Sequence, residues 1–454
     1  MTGQLDNGVM ARTLRAVAPL VLVASACTSA ATNTAGASTV AAPATTVAAT
    51  SITGSLAPDP IIEFLRVDDP SFDGGSLSAV VEAGPGLVAV GSAELPEDAA
   101  VWVSTEGRVW DRINSTSFSG VPDENGLEGA QFMTDIAAGP AGIVAVGSYE
   151  RKAARDVDAG LWLSENGLEW ERIVHDALGG VGSEFISSLD VWDGLYIAGG
   201  EGPGPVGSAE HRPAIWISEN GRDWERIDSP AFRMDATISA ITHNGSRIIA
   251  VGTGGHVARP TVWFSDDART WEVVFSADSG GNEFGSIALG DIERFEDVFM
   301  ESIVTTPDGF AAAGRTGEPS RAVFWKSSDG RIWEPTAVVS DYERANVPVS
   351  VASMLATASG LVAVGTGRLD SSRFPPLSYA EVWVSSDGGS TWPQIPRTST
   401  STATEGADAP WHMGAMTDVI TFDGGVVITG SVPFQNVALP GPFYRQSIWL
   451  GFWE

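Results

Sequence analysis

Arginine is the residue type whose placement in this 454-residue chain most invites a binding role. Arg151, Arg155, Arg212, Arg259, Arg315, Arg321, Arg368, Arg373 and Arg445 fall in irregular stretches between short apolar runs. A guanidinium presents a planar fork of donors that meets a carboxylate or sulfate through two parallel hydrogen bonds. Gathered on one rim, such groups suit an anionic ligand; scattered, they only solvate loops and pair with nearby Asp and Glu. Tyr149, Phe374, Tyr379, Trp411, Phe434, Phe443 and Tyr444 share those stretches. Exposed aromatics there would stack on sugar rings or anchor a protein partner. Folded back, they would merely pack the rim. The ligand-binding candidates are Arg151, Arg155, Arg212, Arg259, Arg315, Arg373, Tyr379, Trp411, Tyr444 and Arg445.

Other chemistries find less support. His175, His211, His243, His256 and His412 have no metal-ligand spacing, and no Gly-x-Ser-x-Gly, His-Glu-x-x-His or phosphate-binding glycine loop occurs. Asp291, Glu293, Glu296, Asp297 and Glu301 form an acidic cluster that reads as a solvated insertion and matches no known Ca²⁺ loop. Acidic residues are so common that no single pair stands out as a glycosidase acid and base. No catalytic residue, metal or cofactor is assigned.

Composition bounds the rest. The formal net charge is −31, which argues against nucleic acid, whose binders carry basic patches. Hydrophobic residues make up 43% of the chain, enough for a sizeable core, and Gly (52) and Trp (16) are abundant. That mixture suits many short strands joined by glycine turns.

The elements that would position the arginines recur. LVAVG (87–91), IVAVG (143–147), LYIAG (195–199), IIAVG (248–252), FAAAG (310–314), LVAVG (361–365) and VVITG (426–430) mark seven second strands. Third strands carry Trp102, Trp162, Trp216, Trp263, Trp325, Trp383 and Trp449; fourth strands open at Trp110, Trp170, Trp224, Trp271, Trp333 and Trp392. Strands apolar on nearly consecutive positions are covered on both faces. Repeats of this size with four strands predict a β-propeller, its tryptophans packed between blades. The stretch from Trp449 to Glu454 has no room for a fourth strand of the seventh repeat, whereas FLRVDDPSF (64–72) matches WERIDSPAF (224–232), a fourth strand and its exit. The expected fold is thus all-β: seven blades of four antiparallel strands, the last blade closed by an N-terminal strand.

Between third and fourth strands lie Glu106-Gly107, Asn166-Gly167, Asn220-Gly221, Asp267-Ala268, Asp329-Gly330 and Asp387-Gly388, each with a Ser two residues before the acidic or amide residue. Gly supplies positive φ and the side-chain oxygen accepts turn amides. SSDGGSTW (385–392) resembles the Asp-box (BNR) repeat, and the other turns resemble it one residue shorter. The resemblance covers about residues 61–454 and implies the propeller of sialidases, sortilin-type receptors and photosystem assembly factors, which differ widely in function. Sialidases carry an Arg-Ile-Pro near the start; here Arg66-Val67 is followed by Asp68.

The N-terminus reads as an address. Arg12 and Arg15 precede an apolar run, Ala16–Ala24, then Ser25, Ala26 and Cys27, the pattern of a secretory signal, with Met1 or Met10 as its start. Ala24-Ser25-Ala26-Cys27 resembles a bacterial lipobox, which implies lipidation of Cys27, the only cysteine. Residues 28–57, nearly all Ala, Thr, Ser, Gly and Val, read as a flexible tether reaching about 30 Å. The expected organisation is a signal over residues 1–27, a tether over 28–57 and a propeller over 58–454.

Short turns (Gly84-Pro85-Gly86, Asp193-Gly194, Asn244-Gly245, Asp308-Gly309, Asp423-Gly424) fall on one face of such a wheel, long irregular loops on the other. Recognition belongs to the irregular face. The expected function is a lipid-anchored extracytoplasmic scaffold, a monomer, that binds a protein or glycan of the cell envelope, with an anionic group as the expected ligand. The alternative is a sialidase-like glycoside hydrolase on that face.

Overall fold

The structure is a computed structural model. It describes residues 62–93, 98–120, 129–151, 156–179, 182–205, 210–255, 258–275, 297–317, 320–339, 348–370, 377–395, 414–435 and 442–453. The signal, Cys27 and the tether lie outside these residues. Among the described residues no helix is long and apolar enough to cross a membrane.

The chain forms a seven-bladed β-propeller of antiparallel sheets. Strand β1 (Ile62–Val67) comes first, then blade one: β2 (Gly75–Ala83), β3 (Gly86–Ala93), β4 (Ala99–Ser104) and β5 (Asp111–Ile113). Blade two is β6 (Gln131–Gly139), β7 (Gly142–Arg151), β8 (Asp156–Ser164) and β9 (Glu171–Ile173). Blade three is β10 (Phe185–Trp192), β11 (Leu195–Pro203), β12 (His211–Ser218) and β13 (Glu225–Arg226). Blade four is β14 (Ala236–His243), β15 (Ile248–Gly254), β16 (Arg259–Ser265) and β17 (Glu272–Phe275). Blade five is β18 (Val298–Thr306), β19 (Gly309–Thr316), β20 (Ala322–Ser327) and β21 (Glu334–Val339). Blade six holds β22 (Val349–Thr357), β23 (Gly360–Asp370) and β24 (Leu377–Ser385). Among the described residues its fourth strand is one bridge, Trp383 to Gln394, flanked by hydrogen bonds from Val384 N to Pro393 O and from Ile395 N to Val382 O. Blade seven is β25 (Ala415–Phe422), β26 (Gly425–Gln435) and β27 (Pro442–Trp453), completed by β1. Phe64 pairs with Gly451 and Val67 with Ile448, as the sequence match predicts.

The seven third-strand tryptophans are each less than 2% exposed. Trp162 packs among Val88, Val90 and Val101 of blade one, so these rings fill the seams between blades. Short 3-10 turns bolt four of the seven seams. Trp102, Trp162, Trp216 and Trp263 donate their indole N–H to the carbonyls of Ser71, Ser117, Ala177 and Ala231, in turns that leave the preceding blade. The acidic turns behave as their residues require. Ser385 Oγ accepts from Gly389 N at 2.8 Å, Asp387 Oδ1 accepts from Ser390 and Thr391, and Trp392 Nε1 donates to Gly389 O. Equivalent amides hold the Asp329 carboxyl below the ordinary aspartate range, and those of Thr391 and Ser390 do the same for Asp387 although its burial opposes them.

Every inner strand carries one bulge, at Ser78, Thr134, Ser187, Ser239, Glu301, Ala352 and Thr417. The recurring glycine that ends each second-strand signature sits beside it. A Cβ on Gly147 would fall 1.9 Å from Phe132 O, and one on Gly252 1.9 Å from Thr237 O. In blade three this role belongs to Gly200, one residue beyond the signature Gly199. The residue after the bulge reaches the next blade. Asp418 Oδ2 accepts from Val80 N at 3.0 Å, Asp135 Oδ2 from Leu189 N at 2.7 Å, and Ser188 Oγ from Ile241 N at 3.1 Å.

Candidate functional site

The strand order puts the first-to-second and third-to-fourth turns on one face and the remaining connections on the other. The arginine candidates belong to the second set. The structure moves several of them out of loops and into strands. Arg151 ends β7, Arg212 and Arg259 open β12 and β16, Arg315 lies in β19, Tyr379 in β24, and Tyr444 and Arg445 in β27. The antiparallel ladders run on past the repeated glycine, since backbone pairing does not depend on the side chains there. Arg155, Arg373 and Trp411 lie outside the described residues.

Register shows an order that the loops conceal. Arg212 pairs with Gly202, Arg259 with Gly254 and Arg445 with Val432, each four residues before the buried third-strand tryptophan. Arg321 holds the same place in blade five, where its carbonyl accepts from Thr316 N at 2.9 Å. Tyr379 takes this place in blade six, Asp158 in blade two and Asp98 in blade one. Four of seven blades therefore present arginine at one repeating position on the long-loop face.

Eight other described arginines are held by acids. Arg66, Arg222, Arg226, Arg233, Arg247, Arg269, Arg315 and Arg331 each lie within 3.8 Å of a carboxylate. Among the described residues, Arg212, Arg259 and Arg321 have no carboxylate partner. Arg259 is exposed and the other two are half-buried. In a chain of charge −31, cations left without acids are available to an external anion.

The channel side is committed differently. Glu301 occupies the bulge of β18, and Arg315 Nε donates to its Oε1 at 2.9 Å while stacking on Phe299 at 3.9 Å. Glu301 therefore does not belong to a solvated acidic insertion: it is in an inner strand and held by an arginine. Burial pushes its carboxyl above the ordinary range, with Arg315 opposing. Asp297 is likewise engaged, accepting from Ala258 N at 2.9 Å. Burial pushes Asp135 well above the aspartate range against the pull of the Leu189 and Ile136 amides. Asp190 and His243 meet at 2.8 Å across the seam between blades three and four. Among the described residues no group of three or more His, Cys, Asp or Glu is arranged to hold a metal ion.

Sequence reasoning missed one ion pair whose carboxylate is buried. Glu184, 2% exposed, meets Arg226 across 42 residues, and Gly202 leaves the room: a Cβ there would collide with Arg226 Nη2. The available signal was the repeated arginine two residues after the fourth-strand tryptophan, at Arg112, Arg172 and Arg226.

No family model matches the chain, and no curated protein matches its sequence. Among solved structures it is similar to an α-L-arabinofuranosidase of Fusarium graminearum, with 14% identity, a TM-score of 0.44, and coverage of 70% of this chain and 97% of that one. An α-L-arabinanase of Penicillium chrysogenum is similar at 12% identity and TM-score 0.43, covering 86% and 98%. A protein of unknown function from Dyadobacter fermentans is similar at 13% and 0.44, covering 87% and 100%. At these identities and TM-scores the likeness carries no argument about chemistry.

Proposed function

We propose that this propeller is a binding scaffold of the cell envelope whose long-loop face takes an anionic group of a glycan or protein. One observation carries the proposal: Arg212, Arg259 and Arg321 hold the same position in three consecutive blades, and no described carboxylate pairs with them. A polyanion laid across those blades would meet one guanidinium per blade. The envelope location rests on the signal-like segment and Cys27. The kinship with Asp-box propellers is supported by the Ser, Asp and Trp bonds of the acidic turns.

The test is binding of the chain to polygalacturonate, with dextran as the neutral control, at low and high salt. Polygalacturonate should bind, and less so as salt rises. Replacing Arg212, Arg259 and Arg321 together by Ala should weaken it by at least about tenfold, one charge-assisted bond being worth that much. Undiminished binding by the triple variant rejects the proposal. The anchor is tested separately: Cys27→Ala should release the protein from membranes, and full retention rules the anchor out.

A glycoside hydrolase is the second reading, favoured by Glu301, whose raised pKa suits a general acid. It also needs a second carboxylate about 5–9.5 Å away. Asp135 and Asp418 are fully buried and bonded to neighbouring blades, which suits structure better than catalysis. A screen of fluorogenic glycosides that finds turnover, abolished by Glu301→Gln, would favour the enzyme.

A further inference from the structure

Blades two and three differ at one buried place, and the difference defines a site. Counted from the bulge, Gln131 of β6 is the counterpart of Glu184, Tyr149 of Gly202, and Arg172 of Arg226. In blade three the carboxylate of Glu184 occupies the arginine. In blade two the carboxylate is replaced by an amide. Gln131 is 0% exposed, yet neither its Oε1 nor its Nε2 has a hydrogen-bond partner. Arg172 Nη1 is buried and likewise unpartnered, while its guanidinium is held 4.0 Å over the Tyr149 ring. Asp158, next in the same row, has partners of its own.

Three orphaned polar atoms in one seam are costly unless something fills them. We propose that blade two binds a small hydroxycarboxylate between Arg172 and Gln131. The ligand's carboxylate takes toward Arg172 the role that the Glu184 carboxylate has toward Arg226 in blade three. It accepts from Arg172 Nη1 and from the Gln131 amide nitrogen. The Gln131 oxygen then needs a donor, which a hydroxyl beside the carboxylate supplies. The Tyr149 ring holds the guanidinium in place. This site is distinct from the arginine positions of blades three to five, and each stands or falls without the other.

The experiment is calorimetric titration of the full chain with sodium glycolate, sodium acetate and, at matched ionic strength, sodium chloride. Glycolate should bind about tenfold more tightly than acetate, because acetate leaves the amide oxygen unpaired, and chloride should give no heat. Gln131→Glu supplies the carboxylate from within and should abolish glycolate binding. Arg172→Met removes the donor and should do the same. If the buried glutamate prevents folding, Arg172→Met, at a half-buried position, decides the matter. No glycolate binding to the native chain would mean that water fills the seam, and it overturns the proposal. Equal binding of acetate and glycolate, or binding retained in either variant, also overturns it.

Discussion

Arg66, in the first strand of the wheel, lies directly across from Trp449, in the last. Arg112, Arg172 and Arg226 lie across from Trp102, Trp162 and Trp216 in the same way. The N-terminal strand thus matches a fourth strand in residue type as well as in pairing. Its anchor is Phe64, 3% exposed and packed with Val362, Val382 and Trp449. Phe64→Ala should cost about 3–5 kcal/mol. Phe452→Ala, at a residue 43% exposed, is the control and should change stability little. Urea denaturation compares the two, and equal midpoints would mean that closure contributes nothing.

The Glu184–Arg226 pair is shielded on the carboxylate side, whereas Arg222 and Glu171 face water at 48% and 58% exposure. Glu184→Gln leaves the Arg226 guanidinium, itself 35% exposed, without its counterion and should cost about 1.5 kcal/mol, the worth of a hydrogen bond to a charged group. Glu171→Gln should have no measurable effect. The comparison is again a shift in denaturation midpoint. A small loss at Glu184 would show that the arginine finds another acceptor.

His243 provides the pH dependence. Burial alone would lower its pKa, but the Asp190 carboxylate overrides burial and holds it above the ordinary histidine value. A histidine that binds its proton more tightly when folded stabilises the fold below about pH 6.5. That contribution is lost as pH rises through the raised value. Asp190→Asn leaves burial unopposed, so the pKa of His243 should fall below the ordinary value. Imidazole proton shifts followed by NMR against pH measure this directly, and an unchanged titration would assign the raised value to another group.

Much of the wheel is legible in the sequence because two constraints recur at fixed spacing. One is the pair of tryptophans flanking an acidic turn. The other is the glycine beside the inner bulge, where any Cβ would strike a carbonyl. Blade three escapes the second rule by one residue, since Gly199 and Gly200 are adjacent and only register separates them. The arginines are legible as a residue type but read as loop residues. Counting back four from each tryptophan would have shown Arg212, Arg259, Arg321 and Arg445 as one set. Glu184 and Arg226 could not be matched, because a bulge shifts the count between them and 42 residues separate them. Glu301 was misplaced for a similar reason, since its acidic neighbours in sequence suggest solvent and only its pairing with Arg315 shows otherwise.

The side chains of Ser353, Asp418, Asp135 and Ser188, each just past its inner bulge, bond to Asp418, Val80, Leu189 and Ile241 of the succeeding blade. The wheel therefore has a sense of rotation written into its chemistry. A gene duplication that copied one blade would carry its outgoing hook and its incoming catch together, so an added or deleted unit would find matching neighbours on both sides. Change in the number of spokes is thereby easier than exchange of a single strand, which would separate a hook from its catch.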